Sequence, residues 1–177
     1  ICFYLPFLFH YITNNRFCTL PKFCTISGID LSKTTFGFDE KHHDCISLKL
    51  MLLKKIIELN SIGITDFICN CDTGIPLWAA ETILFLKNQQ SIHLNVAVPY
   101  ENQAMRWTDE WRERYYNIHA QADSVKILKT KFTDTCYQEC DHFMVDNSDM
   151  LLFVGNSDFA IVQYAKQNNK TVMLINL

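Results

Sequence analysis

Asp72-Thr73-Gly74 with Glu81 one turn into the following segment is the stretch best suited to chemistry. A short apolar run, Asp66-Phe67-Ile68-Cys69, precedes it and reads as a buried strand. Trp78 to Lys87 follows with the apolar stripe of a helix. Gly74 permits a tight turn, and Pro76 suits a first helical turn, where its missing N–H is not needed. A strand, a small polar turn and a helix N-terminus together place backbone N–H groups and the positive end of a helix dipole where an anion sits in an α/β fold. The same grammar serves βα connections that bind nothing. Glu81 has two readings, a general base or ribose anchor and a surface carboxylate favoured by the helix dipole.

Other constellations carry weaker chemistry. His42-His43-Asp44-Cys45 holds four metal-ligating residue types in a row, but neighbours along a chain point in different directions, so His42 and Asp44 read as caps of a helix. Cys69 and Cys71 flank a strand end on one face, without the C-x-x-C spacing of a redox pair, and Cys136 and Cys140 lie four apart on a helix. Trp107, Trp111, Tyr115 and Tyr116 either stack bases or pack a helix on a sheet. The sequence shows no Ser-His-Asp arrangement, Walker loop or G-x-G-x-x-G motif. No metal site is expected.

The totals set the frame for these residues. A chain of 177 residues suits one domain with a proper core. With 49% apolar and 20% charged residues the composition is that of a globular domain. A net charge of −3 argues against a surface built mainly for nucleic-acid phosphates. The eight cysteines show no regular framework, and several fall in apolar strands, so they read as reduced thiols of a cytoplasmic protein. Residues 1–20 begin with an apolar, aromatic run that lacks a basic n-region and a small-residue cleavage site and is too short for a membrane span. They are expected to be a leader outside a single domain covering 21–177, and no membrane partner is expected.

Strand-like runs fall at Phe23–Ile26 (ending at Ser27-Gly28), 66–69, 93–98, Ser124–Leu128, 150–154 and 171–175. Between them lie helical patterns at 45–60, about 76–89, 108–121 (with Thr108 as N-cap), 136–147 and 159–167, and a loop at 29–44. Six apolar strands alternating with helices imply an α/β, three-layer Rossmann-like domain with a mostly parallel sheet covered by helices on both faces. In such a sheet ligands sit outside the carboxyl ends of the strands. The candidate contacts are therefore Ser27 and Gly28, Asp72 to Gly74, Pro99 to Asn102, Lys129 to Lys131, and Gly155, Asn156, Ser157 and Asp158. Trp78 and Trp107, near those turns, complete the candidate set.

From about Thr25 onward the chain resembles the YpsA-like branch of the SLOG superfamily, the Rossmann-like group that takes its name from Smf/DprA and LOG proteins. The resemblance rests on Phe36-Gly37-Phe38-Asp39-Glu40, Gly74-x-x-Leu77-Trp78-Ala79-Ala80-Glu81, Pro99-Tyr100-Glu101-Asn102-Gln103-Ala104-x-x-Trp107 and Arg112-Glu113-Arg114-Tyr115. Ala122-Asp123-x-Val125 and Met144-Val145-Asp146-x-Ser148-Asp149 complete it. It implies a nucleotide or nucleotide-derived small-molecule ligand. Its alternatives are hydrolysis of an N-glycosidic bond, with Glu81 as the catalytic residue, or binding of single-stranded DNA. The oligomeric state is open, a homo-oligomer included.

The chain also departs from the pattern. Ser27-Gly28-Ile29-Asp30 stands where the family has Thr-Gly-His-Arg, and Pro76 stands at an acidic position. Gly155-Asn156-Ser157 replaces a Gly-Gly-Thr turn, and Glu139-Cys140-Asp141 replaces arginines. These changes remove cations and add carboxylates where a phosphate would sit, so the ligand site is expected to be weakened.

Overall fold

The computed structural model describes residues 22–177, so the leader expected over 1–20 lies outside it. Six runs rich in β-branched and aromatic residues form the strands: β1 (Phe23–Gly28), β2 (Asp66–Cys69), β3 (His93–Val98), β4 (Ser124–Ile127), β5 (Met150–Val154) and β6 (Thr171–Ile175). Five helices connect them: α1 (His43–Ser61), α2 (Ile75–Lys87), α3 (Asp109–Gln121), α4 (Cys136–Asp146) and α5 (Ala160–Gln167). Every strand pairing is parallel and the order is β4-β3-β2-β1-β5-β6. The chain winds outward from β1 to β4, then crosses back to β5 on the other side of β1. The strand order therefore reverses at β1, where β2 and β5 flank it.

The alternation of side chains along each strand fills the two faces differently. Ile26, Phe67, Leu94 and Val96 join α1, α2 and α3 in the main core. Leu151 and Phe153 pack on α5, and Ile68 and Ala97 pack on α4. The expected three-layer, parallel α/β architecture is what the chain adopts. Helix α1 buries Cys45, Leu48, Leu52, Ile56 and Leu59, spaced three or four apart along one stripe. It starts where the His42 imidazole accepts the Asp44 N–H at 3.2 Å.

Three local expectations change. The 29–44 loop contains a 3₁₀ turn, Leu31–Lys33, because the Asp30 carboxylate accepts the Ser32 N–H at 2.9 Å and starts it. Thr108 is the N-cap of α3 by backbone, but its hydroxyl makes no capping hydrogen bond. Strand β4 ends at Ile127 and is exposed at every residue, so coverage of both faces stops short of this edge. On one face α4 packs on Ala97 and Ile68 and meets β4 where Lys126 Nζ lies 4.4 Å over the Phe143 ring; on the other face Val125 and Ile127, beside Val96 and Val98, lie outside the main core.

At the amino edge of the sheet, two motif aspartates tie elements together. Asp149 accepts the N–H groups of Lys22 and Phe23 at 2.9 and 3.0 Å, holding the start of β1 against β5. Asp123 accepts the Leu94 N–H at 2.8 Å and Lys87 Nζ at 2.7 Å, joining β4 to β3 and α2. The buried Thr25 hydroxyl completes this edge with contacts to the Met144 carbonyl and the Ser148 hydroxyl. These residues hold the frame on the edge opposite the carboxyl ends of the strands.

Candidate functional site

At the strand-order reversal the structure brings together Ser27, Gly28, Asp72, Thr73, Gly74, Gly155, Asn156 and Ser157. The β1 and β5 ends are joined by the Ile29 N–H to the Val154 carbonyl at 3.0 Å. Gly155 N–H continues to the Ile175 carbonyl at 2.9 Å. The β2 turn folds on itself: the Asn70 amide oxygen accepts the Asp72 N–H at 3.0 Å, and Asp72 accepts the Thr73 N–H at 2.8 Å. In the β5 turn Asn156 accepts the Asp158 N–H at 3.0 Å. Several turn N–H groups that could face an anion are thus satisfied by side chains of their own turn.

The three glycines are small because this chain fills the space beside them. A Cβ on Gly28 would sit 2.7 Å from the Ile75 side chain. Gly74 caps α2 at φ +93°, a backbone that L side chains avoid, with Leu31 Cδ1 at 2.6 Å from an added Cβ. Gly155, at φ +137°, packs against Ile29 and Phe153 in the same way. Ile29, Leu31 and Ile75 thus occupy the floor of the crevice.

Its charge is negative. Burial raises the Asp72 carboxyl, the Thr73 N–H works against that, and the Asp30 charge pushes it further up. Asp141, on α4, is pushed up to about 7 by burial and by the charge of Asp72. Asp30, Asp72 and Asp141 thus add negative charge here, which disfavours a phosphate.

The other sequence candidates lie elsewhere. Trp78 and Glu81 are in the helical layer beneath the edge, within a half-buried polar clamp. The Arg114 guanidinium donates through Nε to Glu81 Oε1 and through Nη2 to Glu81 Oε2, both at 2.7 Å. Its Nη1 reaches Glu40 Oε1 at 2.6 Å, and Trp78 Nε1 donates to the same oxygen at 2.8 Å. Lys49 donates to the other Glu40 oxygen and lies 4.5 Å over the Trp78 ring. Burial raises the Glu40 carboxyl, but the hydrogen bonds from Lys49, Arg114 and Trp78 outweigh it and hold the group below its ordinary value. Trp107 packs on the core edge-on to Tyr115, with ring centroids 5.2 Å apart. Pro99 is buried behind the β3 end, and Asn102 opens a 3₁₀ turn, Gln103–Arg106.

That turn borders a cavity of about 350 Å³ outside the ends of β3 and β4, lined by Tyr100, Asn102, Met105, Arg106, Lys131 and Phe132. Tyr100 and Lys131 fall within the turns the sequence marks as candidates. Arg106 and Phe132 are missed, because a 3₁₀ turn and a loop residue leave no periodic signal. The clamp is missed too, although the motifs contain Glu40, Trp78, Glu81 and Arg114: their spacing along the chain does not reveal that they meet.

The six cysteines among the described residues are free and buried. Cys69 Sγ and Cys71 Sγ lie 3.6 Å apart, buried, and burial pushes the Cys71 thiol up. Cys140 Sγ donates to the Ala97 carbonyl at 3.3 Å. His43 Nδ1 lies 3.0 Å from Asp44, and among the described residues no group of three or more His, Cys, Asp or Glu side chains is placed to hold a metal ion. No helix among them is long and apolar enough to cross a membrane.

Parallel strands in this order, wound about β1 with a polar crevice at the reversal, define a doubly wound Rossmann-like domain. A family model described as the YspA SLOG family (YpsA) matches residues 26–176. The chain belongs to that family. A UPF0398 protein of Brevibacillus brevis is 32% identical over 125 residues, covering 68% of this chain and 66% of that protein. One from Oceanobacillus iheyensis is 30% identical over 114 residues, 63% of this chain and 62% of its own length. The matched part spans under two thirds of each of these relatives. The DNA processing protein A of Helicobacter pylori, described for its single-stranded DNA binding mode, superposes with a TM-score of 0.60 over 89% of this chain and 66% of its own, at 12% identity. That likeness concerns the fold.

Proposed function

We propose that this chain is a binding module for a nucleotide or nucleotide-derived small molecule, seated along the carboxyl edge of the sheet and weakened at the strand-order reversal. The observation that carries the reading is the convergence of the β1, β2 and β5 turns at β1, the position where doubly wound sheets hold such ligands. The weakening follows from Ile29, Leu31 and Ile75 against the glycines and from the negative charge of Asp72 acting on Asp141. Glu81 serves the frame in this reading, since both of its oxygens accept from Arg114.

Thermal denaturation with NAD, ADP-ribose and the mononucleotides at millimolar concentration tests the proposal. The expected result is a rise in Tm with at least one of them, since a ligand that binds only the folded state stabilises it. A Tm unmoved by the whole set overturns the proposal.

A further inference from the structure

The binding module proposed above leaves open which residues hold the ligand's charge. The crevice at β1 is ill suited: it presents Asp30, Asp72 and Asp141, and its floor is closed by aliphatic side chains. The same edge has a second concavity two strands away, beyond the ends of β3 and β4, and its chemistry is the reverse. Arg106 and Lys131 line it, and neither forms an ion pair among the described residues. The neighbouring Lys129 is neutralised by Glu139 at 2.7 Å, so these two cations are what the cavity offers to an anion.

The walls are preformed. The Leu128 N–H bonds the Val98 carbonyl at 2.9 Å and the Glu101 N–H bonds the Lys129 carbonyl at 3.0 Å, fixing the two turns side by side. The 3₁₀ turn carrying Arg106 is pinned from below by Gln103, which is 2% exposed and donates to the Asn70 carbonyl at 3.4 Å. Tyr100 is braced edge-on by Phe132 at 5.4 Å and by Tyr137 at 6.1 Å. Phe132 nevertheless leaves 58% of its surface open, and Met105 leaves 64%. An exposed aromatic face, a thioether and two unpaired cations around about 350 Å³ suit a small ligand with a planar ring and an anionic group, at the low end of the size range of ligand pockets.

We infer that the pocket of Tyr100, Asn102, Met105, Arg106, Lys131 and Phe132 is a mononucleotide subsite, with Arg106 and Lys131 on the phosphate and Phe132 against the base. Relative to the reversal point, the anion contact has moved two strands along the carboxyl edge.

Binding of AMP, adenosine, ribose 5-phosphate and a short oligo(dT) is measured by calorimetry on the full chain and on Arg106→Glu, Lys131→Glu, Phe132→Ala and Gly155→Val variants. AMP is expected to bind at least tenfold more tightly than adenosine or ribose 5-phosphate. Each charge reversal should weaken AMP at least tenfold, and Phe132→Ala should weaken AMP but leave ribose 5-phosphate unchanged. All three side chains are exposed, so the Tm without ligand should stay at the wild-type value. AMP binding that survives both charge reversals but is lost in Gly155→Val overturns this subsite and leaves the reading of a nucleotide module standing. Oligo(dT) binding more tightly than AMP overturns it in favour of a polymer. No binding of AMP to the wild-type chain overturns this subsite, and the reading of a nucleotide module falls with it only if NAD and ADP-ribose also leave the Tm unmoved.

Discussion

The first half of helix α2 carries two stretches of opposite character. At its start, Gly74, Ile75 and Pro76 press into the β1 crevice, and the contacts there are apolar side chains pushed against glycines. Within the next two turns Trp78 and Glu81 enter the clamp, where five side chains from the α1 approach, α1, α2 and α3 satisfy one another. The clamp is built wholly from residues of the resembling motifs apart from Lys49, whereas the crevice mixes one of them, Gly74, with the turns in which the chain departs from the pattern. The two regions are held by separate sets of contacts, so each can change without the other.

Substitutions on both sides probe that separation. Trp78→Ala should be the most damaging, lowering stability by about 3–5 kcal/mol in chemical denaturation, since it empties a large buried site and leaves Glu40 without one of its donors. Arg114→Ala should cost about 2–3 kcal/mol and Arg114→Lys nearly as much, because an ammonium cannot fork onto Glu81 while also reaching Glu40. Equal stability of Arg114→Lys and wild type would show that the clamp acts through charge alone.

On the crevice side, Asp141→Asn should reshape the pH dependence. The folded-state carboxyl titrates near 7, above its unfolded value, so the folded protein binds the extra proton between about pH 4 and 7. Its contribution to stability is present in acid and is lost as pH rises through 7. Wild type should therefore lose about 2 kcal/mol relative to Asp141→Asn between pH 4 and 8, less than the full shift implies because the group is partly solvated. Parallel pH profiles for the two proteins would remove the buried acid pair from the account. The smallest effect is expected from Gly74→Ala, about 1–2 kcal/mol, from its left-handed backbone and its approach to Leu31. Combined with Leu31→Ala in a double-mutant cycle, the two should couple by about 1 kcal/mol. Strict additivity would mean that Leu31 does not fill the crevice.

Much of this was legible in the chain. Strands β2, β3, β5 and β6 fall where the apolar runs place them, because a strand buried between helix layers must be apolar throughout. The exposure of β4 was not legible: Val125 and Ile127 look like core residues, yet beside Val96 and Val98 on the face of the main core they stay 40% and 51% exposed. In the site, the turns were readable from their glycines and strand ends, but their occupancy was not. Nothing in the spelling of Ile29, Leu31 or Ile75 distinguishes an aliphatic residue that packs under a helix from one that fills a ligand's place. The clamp shows the same limit, since Glu40 and Arg114 are brought together only by the sheet and its crossovers.

The position of β1 also has a consequence for biosynthesis. It is the first strand of the described chain, yet one of its two neighbours is β5, whose partner residues follow about 125 positions later. A ribosome adding roughly 5–20 residues per second would leave that edge of β1 without its partner for about 6–25 s. Throughout that interval the nascent sheet can grow outward through β2, β3 and β4 but cannot close over β1. The central strand of the finished molecule spends its early life as an edge, a period in which a chaperone or a second nascent chain competes with β5 for the same row of backbone groups.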